Sequence, residues 1–257
     1  MDLSPHSLTR ALKTQLIGRE VIYQPVTTST MDAARQAIGE GAREGTIVVA
    51  DRQTAGRGRF DREWIAPAES SILLSIILYP RPEELPRINM AAAIAVARSI
   101  EQVTGLRPAI KWPNDVLIGG KKVSGILIEA DTAGVRPGYA VVGLAVNVNL
   151  ETGAIPEIAE TATSLKEMLG RGVSRLEVLA TLLGEFEALY QALRRGEPIE
   201  REWQARMETL GREVSVRCGD EVKEGRAEAV DEDGNLLLRL ADGSLVAISA
   251  GDVTLHV

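Results

Sequence analysis

The sequence predicts an α+β chain that ends in a small β-barrel. Three observations carry this. Between residue 21 and residue 209, β-branched runs alternate with stretches of helical period. After Leu210-Gly211 the rhythm changes to short β runs set apart by Gly219-Asp220, Asp233-Gly234-Asn235 and Asp242-Gly243. With 257 residues, 45% of them hydrophobic, the chain can build one substantial core and an appended unit. The expected boundaries are 1–210 for the larger domain and 211–257 for the barrel.

The elements follow in order. Residues 7–17 read as a short helix and 21–26 as a strand. Residues 28–41 begin with hydroxyls, carry Asp32 in the first turn and place apolar side chains at 31, 34 and 38, so they read as an N-capped amphipathic helix. Residues 46–51 are a β-branched strand. Residues 52–63 lack an apolar period and hold Gly56, Gly58 and four arginines, which reads as a loop. The apolar run 70–79, interrupted by Ser75, reads as a strand buried on both faces. Residues 85–105 are apolar nearly all the way round, as in a buried helix. Residues 109–112 form a strand cut short by Pro113. Residues 115–131 read as a hairpin turning at Gly119-Gly120, and 139–150 as a strand with Gly143 and Ala145 in its middle. Helices are expected over 161–169, 174–195 and 199–209.

Composition narrows the chemistry. Lys+Arg total 29 and Asp+Glu 36, a net charge of −7. A free-standing nucleic-acid binder shows the opposite balance, and 4% aromatics supply no base-stacking platform. No apolar run approaches the roughly 18 residues of a membrane span, and the first residues lack the apolar stretch of a signal peptide. A cytoplasmic, soluble protein is expected. Cys218 is the sole cysteine, and the two histidines, His6 and His256, lie at the ends. A catalytic triad, a Cys–His pair or a histidine-held metal is therefore excluded as an expectation. The remaining tools are Lys, Arg, carboxylates, amides and backbone N–H groups, which suit phosphate and carboxylate chemistry.

Short motifs point the same way. Gly56-Arg57-Gly58-Arg59 exposes backbone N–H groups between forked guanidiniums that match phosphate or carboxylate oxygens. On pattern alone a solvated basic loop fits as well. Lys111-Trp112-Pro113-Asn114-Asp115 puts Lys111 and Trp112 on opposite faces of a strand end. Ser29-Thr30 is first an N-cap, and it can also present hydroxyls to a neutral polar ligand. Asn147 and Asn149 share one face of an apolar strand.

In order and spacing, these segments resemble the biotin–protein ligase family. The match runs through TTSTMDAAR (27–35), ADRQTAGRGR (50–59), Trp64, SSILLSIIL (70–78), KWPNDV (111–116), KKVSGILIE (121–129) and VVGLAVNVN (141–149). The resemblance implies a mixed β-sheet catalytic domain flanked by helices, of the class II aminoacyl-tRNA synthetase/biotin ligase kind, and an SH3-like C-terminal barrel. It implies ATP-dependent formation of biotinyl-5′-adenylate and transfer of biotin to a lysine of a biotin carboxyl carrier protein domain. Its substrates would be biotin and ATP, with Mg2+.

Residue by residue, the resemblance assigns biotin to Ser29, Thr30, Met31, Gln53, Arg57, Gly58, Arg59 and Lys111. It assigns ATP to Arg57, Arg59, Trp64 and Asn147. Lys111 and Arg57 would be catalytic, and Asp115 a metal partner or an organiser of Lys111. Met31 stands where many members have Asn, and Phe60-Asp61 where Arg-Gly is common. Ser29-Thr30 follows too few residues for the winged helix of the repressor forms, so no DNA-binding arm is expected. A homodimer through the sheet stays open. Two rival readings remain: a lipoate–protein ligase of the same fold, and a non-catalytic biotin or adenylate regulator. For the loop, four arginines are expected to repel one another until an anion arrives, so that residues 54–63 order on binding.

Overall fold

The computed structural model describes residues 3–131 and 138–256. Val257, in the last expected β run, and the side chain of Asp61 lie outside the described residues. Among the described residues, twelve strands form two sheets. The first has the order β1-β2-β3-β7-β6-β5-β4. Its members are β1 (Val21–Thr27), β2 (Ile47–Gln53), β3 (Ser71–Leu78), β4 (Ala109–Lys111), β5 (Asp115–Ile118), β6 (Lys121–Asp131) and β7 (Tyr139–Asn147). β1 and β2 are parallel because helix α2 (Thr30–Gly39) crosses between them, and the remaining neighbours are antiparallel, so the sheet is mixed.

Side-chain alternation divides this sheet into two faces. Ile47, Val49, Leu74, Ile76, Val142 and Leu144 join the large core that also takes in α3 (Leu85–Thr104) and α5 (Arg175–Arg194). Val48, Ile77 and Val141, one residue out of step, pack instead with Met31, Ala34 and Ala37 of α2. α2 thus covers only the β2–β3–β7 part of its face. Over β6, the residues on that face (Gly125, Leu127 and Glu129) are half-exposed, while their neighbour Ile126 is buried. The floor of a site is therefore left open beside α2.

The second sheet is antiparallel, with the order β11-β10-β9-β8-β12. It comprises β8 (Glu213–Cys218), β9 (Glu221–Val230), β10 (Leu236–Arg239), β11 (Leu245–Ile248) and β12 (Asp252–Leu255), the small C-terminal unit expected from the turn signals. It docks against the strand end at Trp112. The Trp112 indole N–H donates to the Gly234 carbonyl (2.8 Å), and the Trp112 backbone N–H donates to Thr209 Oγ1 (2.9 Å).

Most expected elements are present, and several differ in extent. The hairpin turns at Gly119-Gly120, both at positive φ (58° and 77°), as a two-residue turn of primed type requires. The first helix, α1, is Pro5–Ala11 and stops before the expected residue 17. The buried Glu187 carboxylate there accepts the backbone N–H groups of Gln15, Leu16 and Ile17, each at 2.7 Å. A helix would have used those donors itself. The helix α4 (Leu165–Leu169) starts later than expected because Ser164 caps it, and α6 (Glu200–Ala205) ends before a bridge from Met207 to Ile110. β7 ends at Asn147 rather than at residue 150. Among the described residues no helix is long and apolar enough to cross a membrane.

Candidate active site

The site lies on the open part of the sheet, between the start of α2 and the β4–β5–β6 edge. Its neutral side begins at the N-terminus of α2. Ser29 caps the helix, its hydroxyl accepting from the Met31 N–H (3.2 Å). The Thr30 N–H and hydroxyl both donate to Gln53 Oε1 (2.8 and 3.1 Å). Ser75, in the middle of the apolar strand β3, donates to Thr30 Oγ1 (2.8 Å). Ser29, Thr30 and Ser75 are all buried. This chain of bonds consumes Gln53 Oε1 and leaves its amide nitrogen as the donor end. Met31 is buried against Gly143; a Cβ at Gly143 would lie 2.6 Å from Met31 Sδ. Met31 is therefore an apolar plug in the sheet floor.

The charged side is built on the loop after β2 and on the KWPND strand end. The loop is a small closed turn. The backbones at Arg57 and Glu63 form an isolated antiparallel β-bridge, the Gly58 N–H donates to the Arg62 carbonyl (2.7 Å) and the Trp64 N–H to the Gly56 carbonyl (2.9 Å). Phe60 sits at φ 56° at its tip, with its ring exposed. The expectation that its arginines face one another without partners is corrected here. Arg57 lies 2.9 Å from Asp32 Oδ1 and 3.5 Å from Glu129 Oε1. Arg35 joins the same two carboxylates. Arg59 donates to Asn114 Oδ1 (3.1 Å), and Arg62 pairs with Asp252 of the C-terminal sheet. Sequence reasoning missed these carboxylates because they come from α2, β6 and β12. Burial holds the Arg59 pKa below the usual guanidinium value, against the raising influence of Asp115 and Asp252.

Lys111 and Asp115 are register partners on β4 and β5, and Asp115 is in turn the partner of Gly125 on β6. All three share the open face. Lys111 is half-buried and has no ion pair among the described residues. Asp115 pairs with Lys122 (Oδ1–Nζ 2.7 Å). The Lys122 ammonium also lies 5.4 Å from the centre of the Trp64 ring. Trp64 rests on Gly125, where a Cβ would come within 2.9 Å of the indole. The Trp64 indole nitrogen is buried and has no hydrogen-bond partner among the described residues.

The structure thus brings Ser29, Thr30, Met31, Gln53, Arg57, Gly58, Arg59, Trp64, Lys111 and Asp115 around one floor. Asn147 stands apart. It is 2% exposed, its amide nitrogen donates to the Thr163 carbonyl (3.1 Å) and its oxygen accepts from Ser71 (3.5 Å). Thr163 N–H in turn donates to the Lys122 carbonyl (2.8 Å), so Asn147 reaches the site indirectly, as a brace. Ser75, Lys122, Gly125, Glu129 and Asp32 lie within the matching segments, and only the tertiary structure places their side chains at the site. Ser75 had a visible signal, a lone hydroxyl in an apolar run. A separate groove of about 720 Å³, lined by Thr14, Gln102, Glu177 and Glu187 among others, contains none of these residues.

Comparison with known proteins gives a consistent answer. A family model described as the biotin/lipoate A/B protein ligase family matches residues 23–147, and one described as the biotin protein ligase C-terminal domain matches residues 209–255. The bifunctional ligase/repressor BirA of Bacillus spizizenii is 36% identical over 98% of this chain and 79% of its own length. The biotin–[acetyl-CoA-carboxylase] ligase of Mycobacterium tuberculosis is 35% identical over 98% of this chain and 96% of its own. Among solved structures, the Aquifex aeolicus biotin protein ligase in complex with biotin and ATP superposes with a TM-score of 0.79. It is 28% identical and covers 93% of this chain and 99% of that one.

Proposed function

The chain belongs to the biotin/lipoate A/B protein ligase family, and from that premise we propose how its own residues carry out the reaction of a biotin–protein ligase. The activity is ATP-dependent joining of biotin to a protein lysine. A biotin carboxylate oxygen bonds to the α-phosphorus of ATP, the bond to the β-phosphate oxygen breaks, and pyrophosphate leaves. The ε-amine of the acceptor lysine then attacks the acyl carbon of the biotinyl-adenylate, and AMP leaves. No protein nucleophile is required, which agrees with a chain whose histidines lie at its two ends.

The observation that carries the reading is the juxtaposition, on one sheet face, of a neutral hydrogen-bonding pocket and a cation, Lys111, that has no ion pair among the described residues. A carboxylate and a phosphate brought to ~4 Å repel by about 4 kcal/mol near a protein surface. Lys111, Arg57 and Arg59 offset that repulsion. Ser29, Thr30 and Gln53 present hydroxyl and amide groups to the biotin ureido ring, and the carboxylate end then points at Lys111. Gly58 lets the loop backbone approach the ligand, and Trp64 supplies the flat face for the nucleotide, with Asn147 bracing behind it.

Asp115 fits the Mg2+ that accompanies ATP. Among the described residues no group of three or more metal-binding side chains exists. A single carboxylate suits an ion carried in by phosphate oxygens, since Mg2+ commonly takes one or two carboxylates beside them. Bound there, the ion would neutralise phosphate charge. The same reading divides the chain at 210/211 and takes a biotin carboxyl carrier domain of a carboxylase as the acceptor. It includes a cytoplasmic location and allows a homodimer.

Labelling of a carrier domain in the presence of ATP tests this, with biotin in one arm and lipoate in the other. Biotin-dependent labelling is expected. Transfer of lipoate alone, or binding of biotin with no transfer, overturns the reading.

A further inference from the structure

Asp115 has a choice of cations, and the structure shows which one it takes. Its register partner on β4 is Lys111, and paired residues on adjacent antiparallel strands hold their Cβ atoms about 4.5–5.5 Å apart on one face. That spacing suits a Lys–Asp ion pair. Yet the carboxylate turns the other way, to Lys122 on β6, at 2.7 Å.

Lys122 is well placed to hold it. Its backbone is fixed on both sides, with N–H donating to the Thr161 carbonyl (2.9 Å) and carbonyl accepting from Thr163 (2.8 Å). Its stem crosses Gly125, where a Cβ would lie 3.1 Å from Lys122 Cε. Its ammonium lies against the Trp64 ring at 5.4 Å. One side chain therefore touches the carboxylate, the indole and the glycine floor together.

We infer that Lys122 is a positioning residue that sequesters Asp115 and so keeps Lys111 available as a bare cation for the biotin carboxylate. With Lys122 absent, Asp115 would turn to the cations nearest it, Lys111 across the strand pair and Arg59 beside Asn114. Either swap places an internal carboxylate where the ligand's carboxylate belongs. This rests on the assignment of Lys111 to the biotin carboxylate.

The test is calorimetric titration of the whole chain with biotin and without ATP, so that any metal-binding role of Asp115 stays outside the measurement. Lys122→Met keeps the stem on Trp64 and removes the charge. Its biotin Kd is expected to rise roughly tenfold or more, the size of one charge-assisted contact. Adding Asp115→Asn to Lys122→Met is expected to restore binding to near the wild-type value, because the competing carboxylate is gone. Lys122→Arg is expected to bind like wild type. Unchanged binding by Lys122→Met overturns the inference. So does weakened binding that Asp115→Asn fails to rescue, which assigns Lys122 to plain structural support. If Lys122→Met does not fold, as judged by its melting transition, Lys122→Gln is carried through the same pair of titrations, and the same two outcomes overturn the inference. Lys111→Ala in parallel separates the premise: wild-type biotin binding by that variant defeats the assignment of Lys111, whatever Lys122 does.

Discussion

On one side of the site, Thr30, Gln53 and Ser75 are neutral and joined to one another by short hydrogen bonds, with Thr30 and Ser75 buried. On the other, Arg57 and Arg62 are more than a third exposed and held by carboxylates from distant elements. The two sides differ in what a ligand must do on arrival. A buried neutral donor left unpaired costs about 1–3 kcal/mol, so the first side is arranged before biotin binds. Exposed ion pairs contribute about 0–1 kcal/mol each, so under the proposed assignment the second side would exchange Asp32, Glu129 or Asp252 for a ligand anion at small cost. One side is a mould, and the other is a set of cations already occupied by replaceable partners.

The largest expected effect falls between the two sides, at Lys111. Lys111→Ala is expected to fold normally, as a half-buried side chain with no ion pair among the described residues, and to lower adenylation by roughly 10²–10³-fold, in line with loss of a charge-stabilising donor. Pyrophosphate release measures it, and wild-type turnover would defeat the assignment. Next comes Arg59. Arg59→Gly is expected to weaken biotin binding less than it weakens retention of the adenylate, which escapes roughly tenfold faster or more, since a charge-assisted contact contributes ~1.5–3 kcal/mol. Release of the intermediate in a filter assay, with labelling of bystander proteins, reads this out. Equal retention would mean that Arg59 does not hold the adenylate.

A smaller effect is expected on the mould side. Thr30→Val removes one hydroxyl and strands the Ser75 hydroxyl, while the backbone N–H of residue 30 still holds Gln53 Oε1; it is expected to cost about 1–3 kcal/mol of stability and to weaken biotin, with the KM for ATP unmoved. A change in ATP KM of the same size as the biotin change would erase the distinction between the sides. The smallest is at Asp252. Asp252→Asn breaks an exposed pair with Arg62 and is expected to shift stability by less than about 1 kcal/mol. Trypsin should then cut faster at Arg62, and biotin with ATP and Mg2+ should protect the loop in both proteins. A large drop in melting temperature would instead make the Arg62–Asp252 contact part of the docking of the C-terminal sheet.

Legibility in the sequence followed the range of the forces involved. Strand β3, helix α3 and the hairpin at Gly119-Gly120 are readable from local pattern, because burial on both faces, an apolar circumference and a two-glycine turn each leave a mark within a few residues. The helix over 7–17 is not, because the acceptor that ends it, Glu187, belongs to α5. The site divides in the same way. Ser29-Thr30, the two glycines of the arginine loop and the KWPND strand end announce hydroxyls, N–H groups and cations by composition. The carboxylates that hold the arginines are invisible in that reading, since Asp32, Glu129 and Asp252 look like ordinary surface charges.

By itself, the sequence determined the chemistry that the chain can offer: cations, amides and hydroxyls in place of imidazoles and thiols, set on strand ends and a helix start. Those are properties of residue type and spacing. Which cation stays bare was decided by tertiary structure alone. Lys111, Asp115 and Lys122 meet because the register of β4, β5 and β6 and the missing side chain at Gly125 bring them onto one face, and a carboxylate with two lysines in reach pairs with the one whose backbone and stem are held in place.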